Sequence, residues 1–156
     1  MKLKNKLISL FVLPVMFLSA CGNGEPAKTP EPKDVTAAIV AEIEMNSAVE
    51  KGKADIADYY TDLDVSKVES ASFYICGSGA YPDEVAVIKM TDAADVNTAK
   101  TSLQNRLDKQ IELYSTYTPD EMYKLDNAKV YTNGNYAILL ACADNEKAKE
   151  IADGMF

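Results

Sequence analysis

The chain has 156 residues, a formal net charge of −8 and no histidine. The lack of histidine excludes a Ser-His-Asp or Cys-His catalytic apparatus and a His-ligated zinc site. A strongly acidic chain is a poor partner for nucleic acid, because phosphate binding depends on Lys and Arg. The sequence has no phosphate-binding P-loop and no dinucleotide-binding glycine motif, so it predicts no cofactor.

The N-terminal segment has the pattern of an export signal. Three lysines within the first six residues precede an apolar run over residues 7–18, and small residues then lead to Cys21. This order is typical of a secretory signal peptide. The run is shorter than the about 20 apolar residues that a membrane-spanning helix needs. We therefore predict a signal peptide over residues 1–20.

The last residues of this signal, Leu18-Ser19-Ala20-Cys21, resemble a lipobox, the site where lipoprotein signal peptidase cuts before a lipid-modified cysteine. The alternative is an ordinary signal peptide followed by a chance cysteine. One acyl chain holds a protein only reversibly, whereas two or three give a lasting anchor. We predict palmitate-type lipid on Cys21 and a location on the outer face of the bacterial cytoplasmic membrane. Loss of the three signal lysines takes the formal charge from −8 to −11.

A linker and one domain are predicted after the anchor. Residues 21–33 are rich in Gly, Pro and charged side chains, a composition that favours flexible or extended chain. The first strongly patterned residue is Val35. The remaining residues, 34–156, have the length of a single globular domain.

Apolar residues at helical spacing predict a first helix over residues 35–49, with Asp34 as its N-cap. A short helical turn is expected near residues 56–60. Branched and aromatic residues then predict strands at 68–76 and 84–90.

The clearest predicted element is a long helix that begins after Asp92 and carries an apolar stripe as far as Tyr114. Strands are then predicted at 129–132 and 136–143. The intervening Asn133-Gly134 indicates a hairpin, since both residues tolerate positive φ.

A final helix, capped by Asp144, completes the order helix, hairpin, long helix, hairpin, helix. Strand pairs that alternate with helices predict an α+β fold. The expected architecture is a two-layer sandwich, in which a mainly antiparallel four-stranded sheet is packed by helices.

Two polar residues fall on or beside the apolar stripe of the long helix. Gln110 lies near its centre and Arg106 at its edge, one turn earlier. A buried amide must find hydrogen-bond partners or cost a few kcal/mol. One interpretation is a structural tie, in which Gln110 bonds a strand edge or the loop at 77–83 and Arg106 pairs a carboxylate. The other is the polar floor of a small ligand pocket.

The segment from Gly77 to Glu84 is a second candidate, because it combines two glycines with Ser78, Asp83 and Glu84. Glycines allow sharp turns or a close approach of backbone. Neighbouring carboxylates can bind a cation or act as acid and base, although adjacent strand residues point to opposite faces. A plain connection and a recognition loop both fit the pattern.

Tyrosines and cysteines supply the remaining candidates. Several tyrosines, Tyr117 among them, lie near predicted element ends, where core boundaries and interfaces both use this residue. Cys76 and Cys142 lie 66 positions apart. They predict either a disulfide, worth about 4 kcal/mol in a chain-entropy estimate, or two buried free thiols.

Together these motifs resemble the bacterial lipoprotein family called domain of unknown function 4358, over about residues 34–156. The residues that carry the resemblance are Gly77-Ser78-Gly79-Ala80, Asp83 to Lys89, Arg106, Gln110, Tyr117-Thr118-Pro119 and Gly134-Asn135-Tyr136. The resemblance implies a small, secreted, lipid-anchored protein without an established activity. It also implies Ser in place of Cys76.

Three functions are compatible with the sequence. The first is a non-enzymatic binding or accessory module of the cell envelope, with an unknown envelope protein as partner. The second is a small-ligand-binding protein with a pocket near Gln110 and Arg106. The third is a hydrolase that uses only carboxylates, with Asp83 or Glu84 at its centre.

Overall fold

The computed structural model describes residues 28–156, so the predicted signal peptide and Cys21 lie outside the described residues. The helices and strands, in chain order, are α1 (Pro32–Glu42), β1 (Ala48–Gly52), α2 (Ile56–Tyr59), β2 (Val68–Cys76), β3 (Glu84–Met90), α3 (Val96–Tyr117), α4 (Met122–Asp126), β4 (Lys129–Asn133), β5 (Tyr136–Ala141) and α5 (Asn145–Asp153). Within the described part, no helix has both the length and the apolar character needed to cross a membrane.

The strands form one open sheet in the order β1-β2-β3-β5-β4, and every neighbouring pair is antiparallel. The predicted α+β class and antiparallel sheet are therefore confirmed. Both β2 and β3 have the predicted bounds. The predicted count of four strands is wrong, because the sheet has five.

The strand that the sequence analysis missed is β1. The helical spacing predicted one helix over residues 35–49, but α1 ends at Glu42 and the chain turns through Ser47, which has a φ of 48°. β1 then pairs with β2 at the edge of the sheet, and its side chains are exposed or half-buried. An exposed edge strand has little need for an apolar pattern, so its sequence gave no periodic signal.

Helices cover both faces of the sheet, so the predicted two-layer sandwich is wrong and the fold has three layers. Along β3, Val85 and Val87 pack with α1 and α5, whereas Ala86 and Ile88 pack with α2 and α3. β5 reads Tyr-Ala-Ile-Leu-Leu-Ala and is buried throughout. A strand without polar alternation is typical of a sheet that is covered on both faces.

Two of the predicted N-cap residues cap a helical segment in the structure. Asp92 accepts a hydrogen bond from the backbone of Ala94, and Asp144 accepts one from Lys147. The first helix differs: it begins at Pro32, inside the predicted linker, and Asp34 lies in its first turn. Proline suits this position because a first helical residue needs no backbone N–H.

The chain enters the domain at the β4–β5 hairpin end of the sheet. The hydroxyl of Tyr136 donates to the carbonyl of Pro30 at 2.9 Å, and the backbone N–H of Lys28 donates to Phe156 at 3.2 Å. Tyr136 begins β5 directly after the two-residue turn, in which Gly134 has a φ of 55°. The turn residues are 134 and 135, one position later than predicted.

The core on the α3 face is expected to dominate stability. Leu103→Ala should lower the free energy of unfolding by about 2–5 kcal/mol, because Leu103 is fully buried and truncation leaves a cavity. Leu113→Ala on the same helix is the matched control, since Leu113 is 58% exposed. It should change stability by less than about 0.5 kcal/mol. Urea unfolding of the two variants measures both values, and equal losses would contradict the described packing.

Candidate cleft at the end of the sheet

A cleft of about 270 Å³ lies between α3 and the connection that joins β2 to β3. This connection, residues 77–83, is the 77–83 loop. Polar side chains of the cleft include Cys76, Ser78, Asp83, Arg106, Gln110 and Tyr114. The cleft therefore combines the two regions that the sequence analysis selected separately.

The 77–83 loop is held in place from several sides. The backbone N–H of Gly77 donates to Ser47 at 2.9 Å, and the hydroxyl of Tyr114 donates to the carbonyl of Gly79 at 3.0 Å. Gly79 has a φ of 69°, a conformation that favours glycine. These contacts give the loop a defined shape beside the cleft.

One face of α3 forms the opposite wall. Arg106, Gln110 and Tyr114 follow at intervals of four residues, and residues at this spacing lie one above the other on a helix. The apolar residues Leu103 and Leu107 continue the same side of the helix into the core. The polar face thus begins where the core ends.

The carboxylate of Glu84 lies beneath the cleft and is fully buried. Its Oε1 accepts from the Tyr60 hydroxyl at 2.7 Å. Its Oε2 accepts from Nε of Arg106 at 3.0 Å, from Nη2 of the same guanidinium at 2.9 Å, and from Nε2 of Gln110 at 2.8 Å. Such a charge is tolerated in a core only when it is paired and fully hydrogen-bonded, as it is here.

This network determines the orientation of the Gln110 amide. If the amide were turned over, its oxygen would face the carboxylate of Glu84, and two acceptors would meet. The amide nitrogen must therefore point to Glu84. Its Oε1 is buried and has no hydrogen-bond partner in the part of the chain that the structure describes, on a residue that is 4% exposed and lines the cleft.

Asp83 supplies a second acceptor without a partner. Its Oδ2 accepts from Nζ of Lys124 at 2.8 Å and from Nδ2 of Asn46 at 3.2 Å. Its Oδ1 is buried and has no partner among the described residues. Asp83 is 1% exposed. The partners of its carboxylate, Asn46 and Lys124, line a neighbouring cavity rather than this cleft.

Ion pairs around the cleft leave one negative charge. Glu84 is balanced by Arg106, whereas Lys124 faces two carboxylates, those of Asp83 and Glu121. Burial alone would lower the pKa of Lys124, but hydrogen bonds to both carboxylates raise it above its ordinary value. Lys124 therefore stays cationic, and the excess charge of the group is negative.

Cys76 lies at the base of the 77–83 loop, with its Sγ 3.2 Å from the Ser78 hydroxyl oxygen. Burial opposes ionisation of this thiol. Hydrogen bonds from the Ser78 side chain and from the backbone of Tyr81, Ser78 and Ala80 outweigh burial and lower the pKa of Cys76. Hydrogen bonding to a thiolate favours the charged form of the sulfur.

The structure brings together most of the residues selected from the sequence. Ser78, Asp83, Arg106 and Gln110 line the cleft, while Glu84 lies beneath it. Tyr117 is 64% exposed, and its ring meets the edge of Tyr114 rather than the cleft itself. The expected tie between Arg106 and a carboxylate is present, as is a cavity beside Gln110.

The two cysteines have separate surroundings, and both are free thiols in the structure. Cys142 packs with α1 and α5 and contacts Oδ1 of Asn145 at 3.4 Å. Burial raises the pKa of Cys142 to about 11, in contrast to the lowered pKa of Cys76. Of the two predicted alternatives for Cys76 and Cys142, the structure therefore has free thiols and no disulfide between them.

Three participants escaped the sequence analysis. Tyr60 lies just after α2, in a segment for which only a short helical turn is predicted. Lys124 is only 2% exposed. Asn46 lies beyond the end of α1, in a segment that is predicted to be helical. A buried lysine has no signature in a single sequence, because its carboxylate partners come from 41 and three residues away. Only the fold joins them.

Comparison with known proteins gives one family. A family model described as Domain of unknown function (DUF4358) matches residues 41–142, which is more than half of the chain. The matched range includes the 77–83 loop and every residue that lines the cleft. No curated protein and no solved structure matches.

The Tyr60 hydroxyl is expected to stabilise the buried carboxylate. Tyr60→Phe should lower the free energy of unfolding by about 1–3 kcal/mol, because Oε1 of Glu84 loses a donor inside the core. Tyr59→Phe is the control, since the Tyr59 ring packs on the same Phe73 while its hydroxyl does not bond Glu84. Denaturant unfolding at neutral pH compares the two, and a smaller loss for Tyr60→Phe would contradict the network.

The hydrogen-bonded pair of Tyr60 and Glu84 also makes the stability of the fold depend on pH. Burial raises the pKa of Tyr60 well above its ordinary value, and the charge of Glu84 adds to the effect. The folded state therefore keeps this proton to higher pH than the unfolded state. The resulting stability is complete below about pH 10 and is lost as the pH rises towards the folded pKa. Tyr60→Phe should remove this part of the alkaline decline, whereas Tyr59→Phe should keep it.

Proposed function

This chain belongs to the family described as Domain of unknown function (DUF4358), and from that premise we propose that it is a lipid-anchored extracytoplasmic protein that binds a small polar ligand. The cleft between α3 and the 77–83 loop is the proposed ligand site. The protein then acts as a binding or accessory module of the cell envelope rather than as an enzyme.

One observation carries the proposal of a ligand site. Gln110 Oε1 is a buried acceptor without a hydrogen-bond partner among residues 28–156, and Gln110 lines the cleft beside Arg106 and Tyr114. An unsatisfied buried polar atom costs about 1–3 kcal/mol. A small molecule or water that enters beside Gln110 and donates to this oxygen removes this cost, and the cleft has room for several non-hydrogen atoms.

The chemistry of the lining defines the class of ligand. The free Gln110 oxygen is an acceptor, so the ligand must donate a hydrogen bond through a hydroxyl, amide or amino group. The charge of the surrounding ion pairs favours a neutral or cationic group over an anion. The rings of Tyr59, Tyr81 and Tyr114 add aromatic walls, which also attract cations.

The position of the cleft supports a tethered role. Cys76 and Asp83 flank the end of β3 that starts at Glu84, whereas Tyr136, which bonds Pro30, pairs with Lys89. Glu84 and Lys89 are separated by about 17 Å along the strand. The chain that leads from Cys21 would therefore join the domain at the end of β3 opposite the cleft.

The anchor is tested by removing the cysteine that would carry it. Cys21→Ser should release the protein into the soluble extracytoplasmic fraction or leave it unprocessed, because no lipid can be attached. Cys76→Ser is the matched control and should stay in the membrane fraction. Fractionation with mass analysis of the N-terminus gives the answer. A cleaved Cys21→Ser protein that remains tightly membrane-bound would refute lipid anchoring.

The cleft is tested with small probes on the full chain carrying Cys21→Ser. Ethanolamine, which donates through both ends, should shift the backbone NMR signals of the 77–83 loop in a saturable way. Acetate, which only accepts, should give no saturable shift. Gln110→Met should weaken the ethanolamine effect about three- to tenfold, since one hydrogen bond is lost.

The control for this variant is Gln104→Met on the exposed side of the same helix, where the amide donates to Asp108. It should leave the titration unchanged. Saturable binding of acetate without any effect of ethanolamine would mean that Arg106, rather than the Gln110 oxygen, determines what binds. The proposed ligand class would then be wrong.

A further inference from the structure

Three exposed tyrosines gather at the end of the sheet that carries the 77–83 loop. They are Tyr81, Tyr117 and Tyr123. The rings of Tyr81 and Tyr123 lie 5.7 Å and 5.9 Å from Nζ of Lys124, and the ring of Tyr117 meets that of Tyr114. Exposed aromatic side chains that collect in one region are typical of interaction surfaces.

Tyr123 differs from the other two because it lines two cavities outside the cleft. The cavities have volumes of about 220 Å³ and 190 Å³, and Tyr123 and Ala143 contribute to both. The ring of Tyr123 is therefore accessible, at 48% exposure, beside two separate depressions. The Tyr123 surface consists of these two shared residues and four carboxylates: Glu44 and Glu121 in the first cavity, Asp144 and Glu146 in the second.

The Tyr123 surface carries an excess of negative charge. The basic side chain in its lining is Lys124, which is 2% exposed and already pairs with the carboxylates of Asp83 and Glu121. Glu146 pairs with Lys129 at 2.6 Å. Glu44 and Asp144 are both exposed, and neither forms an ion pair with another residue of the part that the structure describes.

An exposed ring between carboxylates defines the chemistry of a partner. A guanidinium group stacks on aromatic rings and bonds carboxylates through its planar set of N–H donors, so arginine fits this combination better than other side chains. The ring supplies the apolar contact, and the carboxylates on either side of it supply the charge.

Other occupants fit the Tyr123 surface poorly. A second copy of the chain would bring the same carboxylates together, and each copy has a formal net charge of −8. An anionic lipid surface is repelled by the same charge. The chain also enters the domain at the opposite end of the sheet, where Tyr136 bonds Pro30.

We propose that the Tyr123 surface docks a basic, arginine-containing segment of another protein. An arginine side chain of that segment stacks on the ring of Tyr123, and its guanidinium pairs with Glu44 in the first cavity or with Asp144 in the second. The inference goes beyond the proposed ligand cleft, since neither cavity includes Arg106 or Gln110.

The test uses the full chain carrying Cys21→Ser and blocked hexapeptides that alternate glycine with arginine, citrulline or glutamate. Citrulline keeps the shape of arginine but lacks its charge. Titration calorimetry should give saturable binding of the arginine peptide, and backbone NMR shifts should map it to Glu44, Tyr123 and Asp144. The citrulline peptide should bind at least about tenfold more weakly, and the glutamate peptide should not bind. Added salt should weaken binding of the arginine peptide.

Two pairs of variants locate the contact. Tyr123→Ala should raise the Kd of the arginine peptide about three- to tenfold, because the ring is lost. Tyr117→Ala is the matched control, since Tyr117 is exposed at the same end of the sheet and lines neither cavity. Glu44→Gln should raise the Kd about two- to fivefold, whereas Glu112→Gln, which removes the same charge from the exposed surface of α3, should leave it nearly unchanged.

Three results would overturn the inference. Equal binding of the citrulline and arginine peptides would show that charge does not select the partner. Equal effects within either pair of variants would show that the peptide does not contact the Tyr123 surface. A dimer in sedimentation analysis that Tyr123→Ala dissociates would identify a second copy as the occupant. None of these results alters the ethanolamine titration at the 77–83 loop, so the two proposals fail independently.

Discussion

A carboxylate buried at the start of a central strand is the constraint on which this structure depends. Glu84 is fully enclosed and accepts hydrogen bonds from Tyr60, Arg106 and Gln110. Leaving such a charge without its partners costs about 3–5 kcal/mol, a large part of the total stability of a small domain. The segment after α2, the strand β3 and the helix α3 must therefore keep their relative positions for the fold to persist.

The same constraint produces the polarity of the cleft. Glu84 requires the amide nitrogen of Gln110, so the amide oxygen has to face the other way. Asp83, the next residue in the chain, uses one oxygen for Lys124 and Asn46 and leaves the other free. The Gln110 amide and the Asp83 carboxylate are thus each left with one oxygen that has no partner among the described residues. The proposed ligand site is a consequence of how the buried charge is stabilised.

The polar groups near the cleft differ in whether their hydrogen-bonding capacity is already used within the protein. Glu84 is occupied on both oxygens and lies beneath the lining, which gives it a structural role. Asp83 and Cys76 stand next to each other in space at the mouth of the β2–β3 connection, where the N–H of Cys76 donates to the carbonyl of Asp83 at 3.1 Å. This backbone bond closes the 77–83 loop, and both residues contribute to the lining of the cleft. Asp83 and Glu84 are adjacent in the chain, but only Glu84 has both carboxylate oxygens hydrogen-bonded.

The sequence by itself determined the bounds of β2 and β3, the long helix α3 and the caps at Asp92 and Asp144, because local periodicity and capping chemistry depend only on nearby residues. It also predicted the lipid anchor at Cys21, which lies outside the described residues. It selected Arg106 and Gln110 because polar residues on an apolar stripe need partners.

Tertiary structure alone decided what those partners are. The edge strand β1 forms because β2 offers unpaired backbone groups, not because its own sequence alternates. The second helical layer forms because both faces of β3 and β5 are apolar. In the sequence, such a strand is a short apolar run, and periodicity alone does not distinguish it from other buried segments. Tyr60, Lys124 and the thiol of Cys76 acquire their roles through contacts between distant segments. Long-range packing of this kind leaves no periodic pattern in a single chain, so only the folded arrangement places the Cys76 and Gln110 side chains in one cleft.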